Sequence, residues 1–164
     1  MKKYILLFAA AAVLASCSNA PKTSEAGQEA QATEGAVSLT VDAASSQLEW
    51  KGSKLAYSHN GTISIKEGTL SLENGALTAG NFVVDMTTIK DLDITDEQKN
   101  KDLVGHLASA DFFTVDSFPT STFAITSVKA LEGNPEATHE ISGNLTIKGV
   151  SRQITFPAKV TLNE

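Results

Sequence analysis

One cysteine, Cys17, in 164 residues leaves no partner for an intrachain disulfide and rules out zinc sites built on several thiolates. Aromatic residues are scarce, at 6%, and there is a single tryptophan. Positive charge is in the minority as well: 13 Lys and Arg against 19 Asp and Glu give a net charge of −6, with no basic run. Affinity for phosphate backbones rests on Lys and Arg, so no nucleic-acid partner is expected. Catalytic signatures are missing too. There is no G-x-S-x-G elbow, no phosphate-binding loop, no G-x-G-x-x-G and no H-E-x-x-H. His59, His106 and His139 lie far apart and none is paired at metal-ligand spacing, so neither a metal nor a cofactor is expected. The run from Asp91 to Asp96, with Asp102 at the twelfth position, is similar to a calcium loop but lacks its Gly and its bidentate Glu. Acidic residues leading into a helix N-terminus account for it.

What is present begins with an export signal. Lys2 and Lys3 precede an uninterrupted apolar run over residues 4–14. A membrane-spanning helix needs roughly 20 such residues, so this run reads as the core of a secretory signal. Leu14-Ala15-Ser16-Cys17 then resembles the bacterial lipobox. That resemblance implies a signal peptide over residues 1–16, cleavage before Cys17, a diacylglyceryl group on its sulfur and acylation of the new amino terminus. The expected location is the bacterial cell envelope, lipid-anchored and facing the periplasm, with the membrane as a partner. Several acyl chains, at about 0.8 kcal/mol per buried CH₂, anchor stably where one chain is marginal. Residues 17–35 contain no large apolar side chain and are expected to be a flexible tether. Residues 36–164 then form one domain, long enough for a sizeable core.

Period-two alternation dominates that domain. Val37, Leu39 and Val41 alternate with Ser38 and Thr40, and Ile141, Gly143, Leu145 and Ile147 alternate with Ser142, Asn144, Thr146 and Lys148. Such patterning marks strands with one apolar and one wet face. It predicts eight strands, at 36–42, 46–53, 61–66, 68–73, 76–87, 118–130, 138–148 and 152–163. Asn60-Gly61, Asn74-Gly75 and Lys148-Gly149 read as turns. Pro157 places its strand at an edge or a bulge, or sits where the N–H position faces out. One helix is expected between the fifth and sixth strands. Thr95 and Gln98 form its capping box, Asp96 and Glu97 fill the first turn, Leu103, Val104 and Leu107 give an apolar side, and it ends near Ala108.

The fold class is therefore all-β, and eight antiparallel strands can close into a barrel whose interior either fills with side chains or holds one small ligand. The inward residues are Trp50, Ile63, Ile65, Leu70, Leu72, Phe82 and Val84 in the first half, and Phe123, Ile125, Ile141, Leu145 and Phe156 in the second. Gly143 and Ala158 share those rows. Small residues there either admit a close-packed partner or leave room for a guest.

A family resemblance adds what periodicity cannot. His106-Leu107, Ser109 and Asp111-Phe112-Phe113, followed by Pro119 and Phe123, resemble the "HL-x-S-x-DFF … P-x-x-x-F" signature of the YceI-like family. Trp50-Lys51-Gly52 and His59-Asn60-Gly61 precede it in the family's order, Asn81 to Met86 is similar to its central strand, and Gly143 to Val150 to its closing hairpin. The resemblance covers roughly residues 37–162. It implies an extended lipocalin-like barrel that binds a polyisoprenoid, an isoprenoid quinone or a fatty-acyl lipid in its lumen, without catalysis. The helix and the Asp111-Phe112-Phe113 segment would cover one barrel opening, with Phe112 or Phe113 turned inward among the ligand-binding residues. His59 and His106 would contact a lipid headgroup or serve structure. Two rivals stand beside this reading: a non-catalytic structural or interaction barrel with a filled core, and a hydrolase using His106 or His59 with nearby carboxylates. Oligomeric state is not legible.

Overall fold

The structure, a computed structural model, describes residues 22–162. Cys17 and the export signal lie outside them. The elements follow in the order β1 (Lys22–Glu25), β2 (Val37–Thr40), β3 (Leu48–Ser53), β4 (Ser58–Glu73), β5 (Ala76–Asp91), α1 (Glu97–Ala108), β6 (Thr120–Ala130), β7 (His139–Ile147) and β8 (Val150–Ala158). All pairings are antiparallel. The path runs β1-β8-β7-β6-β5-β4-β2, and β3 also pairs with β4. The protein is thus mostly β, an eight-stranded antiparallel barrel with one helix between β5 and β6.

The count of eight holds with a different membership. Residues 61–66 and 68–73 are parts of one 16-residue strand, β4. Gly68 does not break it. A register shift between Ile65 and Glu67 absorbs the irregularity as a bulge, which bends a strand without ending it. The two halves of β4 then serve different neighbours, β3 along residues 58–63 and β2 along residues 69–72. Asn60-Gly61 is no turn either: β4 runs through it, and Gly61 pairs with both Trp50 and Asp91. Its glycine serves close approach, because an added Cβ would lie 2.7 Å from Trp50 Cζ2 and against the Lys90 backbone. Asn74-Gly75 and Lys148-Gly149 are turns, and all four residues have positive φ. The last strand stops at Ala158. β1 pairs with β8 only over residues 152–155, so Pro157 lies beyond that partner.

The eighth strand comes from the expected tether. β1 pairs with β8 from Lys22↔Thr155 to Glu25↔Arg152. Beyond it the Gly27 N–H donates to Asn144 Oδ1 at 2.8 Å, and Asn144 Nδ2 donates to the Gly27 carbonyl at 2.7 Å. The Ala30 N–H donates to the Ile125 carbonyl at 2.8 Å, one residue past the point where β5 stops pairing with β6. Composition predicts no order here because the segment buries little apolar surface. Its docking rests on backbone hydrogen bonds and on the buried Asn144 amide, both of whose polar atoms are satisfied.

The helix starts one residue later than the capping box predicts. Asp96 is the N-cap, and its carboxylate accepts from the Lys99 N–H at 3.0 Å. Asp96→Ala should therefore cost about 1 kcal/mol in chemical denaturation, and Thr95→Ala should leave the midpoint where it is.

The core divides in two. One buried cluster joins Val84, Met86, Ile89 and Val115, with Leu48, Trp50, Ile63, Leu107, Ala108 and Phe113 packed on it. It seats the end of α1 and the following loop over one end of the barrel. The other joins Leu77, Ile125 and Ile141, flanked by Leu70, Leu72, Phe123, Val128, Phe156 and Ala158.

Candidate functional site: the barrel lumen

Directly opposed residues on antiparallel strands project to the same face. Ile65 opposes Val84, Phe82 opposes Phe123, Phe123 opposes Leu145, and Ile141 opposes Phe156. The expected inward residues thus share one face, as alternation predicts. They are unequally buried. Val84, Ile125 and Ile141 are buried, whereas Ile63, Ile65, Leu70, Leu72, Phe82, Phe123, Leu145 and Phe156 are only half-buried. Ile65, Phe82 and Leu145 belong to neither core cluster. A band of apolar wall between the two clusters therefore keeps exposed surface.

Gly143 does not open space in that band. A Cβ there would meet the Phe123 ring and lie 2.8 Å from the Ala124 carbonyl oxygen. Of the two readings of a small residue on an apolar row, the close-packed partner holds. Phe123 in turn stacks at 5.6 Å from Phe156 and 6.3 Å from Phe82. Of the two candidate plugs, Phe113 packs on the core under α1, while Phe112 is 47% exposed and lies edge-on to His106 at 5.0 Å. Phe112 is therefore not a lumen residue. His106 is itself exposed, 3.7 Å from Asp111, so its pairing is with the surface.

His59 is placed differently. Its Nδ1 lies 2.9 Å from Asp93 Oδ2, and the Asn60 N–H donates to Asp93 Oδ1 at 2.7 Å. The Asn60 amide and then His59 hold the Asp93 carboxyl below the usual carboxylate range. Two participants escape a reading by sequence. Asp91 carries only the signal of an acidic run. Arg152 opposes Leu145 and so shares its face, where it pairs with Glu25 at 3.2 Å. Nothing in the local pattern marks Arg152, because its partner comes from the expected tether.

This geometry can be set beside known proteins. A UPF0312 protein of Pseudomonas putida strain W619 is 32% identical over 112 residues, which are 68% of this chain and 54% of that protein. Protein YceI of Salmonella arizonae is 47% identical over 55 residues, 34% of this chain and 27% of its own. The matched region thus spans about half, or less, of these relatives' length. The crystal structure of Burkholderia cenocepacia BcnA superposes with a TM-score of 0.57 at 22% identity, covering 76% of this chain and 73% of that one, a likeness of fold. Residues 1–18 match the prokaryotic membrane lipoprotein lipid attachment site, which makes the protein a lipid-anchored component of a bacterial envelope. Residues 39–164, from β2 through β8, match the YceI-like domain. With that stretch including the whole half-buried apolar wall, the chain belongs to the YceI-like family.

Proposed function

We propose that this lipoprotein holds one long apolar lipid in its barrel, on the periplasmic side of the membrane that anchors it, and performs no catalysis. The observation that carries the reading is the half-buried band of Ile65, Phe82 and Leu145 between two separate buried clusters. Apolar surface left exposed at the centre of a barrel is costly at about 25 cal/mol per Å², and an apolar guest removes that cost. A polyisoprenoid, an isoprenoid quinone or a fatty-acyl chain each fits this chemistry. Arg152, on the face of Leu145, is placed to orient a polar end of the guest. No prosthetic group is needed for such a role.

The test is solvent extraction of protein purified from its own envelope, followed by lipid mass spectrometry. The expected result is one lipid class at close to one molecule per chain. Protein that yields only the phospholipid mixture of its membrane would favour the rival, a filled interaction barrel. The Phe82, Phe123 and Phe156 rings already occupy part of the interior and are the observation on that rival's side.

A further inference from the structure

The start of β4, the end of β5 and the connection that follows it bring together a group of side chains that neither the barrel wall nor a lipid requires. His59 on β4, Asp91 at the end of β5 and Asp93 two residues on each offer one donor atom, and these atoms all lie within 4.8 Å of one another. The ladder places them there. Gly61 opposes Asp91, and the Leu92 N–H donates to the Asn60 carbonyl at 2.9 Å, which draws the chain after β5 alongside His59.

The decisive atom is Asp91 Oδ2. Asp91 is 7% exposed, and its Oδ1 accepts from the Ile94 N–H at 2.8 Å and from Asn100 Nδ2 at 3.0 Å. Its Oδ2 is buried and has no hydrogen-bond partner, the one such side-chain atom among the described residues. A buried carboxylate oxygen without a donor is costly, and a second carboxylate beside it adds repulsion. Here the neighbour is Asp93, fixed on one oxygen by the Asn60 amide and on the other by His59. Asp91 Oδ1 is thus fixed by Ile94 and Asn100 and Asp93 Oδ1 by Asn60, while the proton between His59 Nδ1 and Asp93 Oδ2 is one that a bound cation would displace to solvent.

We propose that His59, Asp91 and Asp93 form a binding site for a first-row divalent transition-metal cation of the zinc or manganese type. One imidazole nitrogen and two carboxylate oxygens make a donor set suited to these ions, while the nitrogen disfavours calcium and magnesium. Three protein ligands leave coordination positions for water. The remainder of the acidic run does not take part: Asp96 caps α1, and Asp102 accepts from Gln98 Nε2 at 2.9 Å.

The test uses the full lipidated chain in detergent micelles, stripped with a chelator and titrated with ZnCl₂ or, separately, MnCl₂. Trp50 is the only tryptophan and donates its Nε1–H to the Lys90 carbonyl at 3.1 Å, one residue from Asp91, so its fluorescence reports the site. One saturable event with a rise in thermal midpoint is expected. Asp91→Asn keeps an oxygen for Ile94 and Asn100, so the stripped variant should fold as the parent does and bind at least about 100-fold more weakly. His59→Ala, at a more accessible position, should weaken binding similarly, and His139→Ala should change nothing. The proposal is overturned if the parent shows no saturable response to either ion, or if Asp91→Asn binds as the parent does. It is equally overturned if acidification alone, without any ion, raises the stripped parent's midpoint: a proton shared by the two carboxyl groups then satisfies Asp91 Oδ2.

Discussion

Gly143→Leu should cost at least about 3 kcal/mol and lower the unfolding midpoint markedly, the upper end of what overpacking does in a well-packed interior. Gly143 is buried on β7, opposite Ile125. The first carbon of any side chain there meets the Phe123 ring and comes within 2.8 Å of the Ala124 carbonyl oxygen. The ring cannot simply swing away, since Phe156 and Phe82 stand 5.6 and 6.3 Å from it. The carbonyl belongs to β6, so yielding there disturbs the β6–β7 ladder. A domain of this size is stable by only about 5–15 kcal/mol in total, so such a loss is severe. Gly143→Ala carries the same collision without the branched end and should cost about 1–3 kcal/mol. Urea midpoints of both variants, with near-ultraviolet circular dichroism, measure this. A parental midpoint for Gly143→Leu would mean that the Phe123 ring lies elsewhere.

Cys17→Ser should remove the protein from the membrane fraction as a soluble exported chain, or leave it as an uncut precursor. The lipid attachment site ends at residue 18, and Cys17 is the only sulfur nucleophile in the chain. Without the thioether no diacylglyceryl group can be carried, and stable anchoring needs more than one acyl chain. Fractionation of the envelope, with the intact mass of the product, decides it. A cleaved Cys17→Ser protein that stays membrane-bound as before would contradict the lipid anchor. The anchor also sets a distance. With β1 already in the sheet at Lys22, the span from Cys17 is short, and any chain of that length reaches at most about 18 Å. The anchor thus limits how far the start of β1 can stand from the bilayer.

The alternation of β5 through β8 was legible because one face meets apolar neighbours and the other water, so hydrophobicity repeats every second residue. The turns at Asn74-Gly75 and Lys148-Gly149 were legible because their backbone needs positive φ. Asn60-Gly61 carries the same letters for another reason, since Gly61 gives way to Trp50 and the Lys90 backbone. Local sequence does not distinguish a glycine that bends from one that yields space. The bulges at Ile65 and Ile125 are likewise silent, because each is set by its partner strand. The order of residues 22–30 is not legible in composition, because hydrogen bonds to Asn144 and Ile125, not apolar burial, dock them. At the site, the inward rows followed from periodicity, but the filling of Gly143 by Phe123 is a contact across two strands. The grouping of His59 with Asp91 and Asp93 depends on the β4–β5 register.

The central claim is a lipid between the two buried clusters, and Leu145 offers the most direct way to ask. It is half-buried, lies on the lumen face opposite Phe123 and belongs to neither cluster, so a larger side chain there takes a guest's place without displacing the core. The measurement is native mass spectrometry of the parent and Leu145→Trp, both purified from their own envelope, paired with the thermal midpoint of each after lipid is stripped. The account predicts a parent carrying the mass of one lipid, a Leu145→Trp protein with occupancy at least about tenfold lower, equivalent to about 1.4 kcal/mol, and nearly equal midpoints of the stripped proteins. A parent that never carries lipid, with a Leu145→Trp protein destabilised by the about 1–3 kcal/mol of an overpacked core, would contradict it and establish a filled barrel.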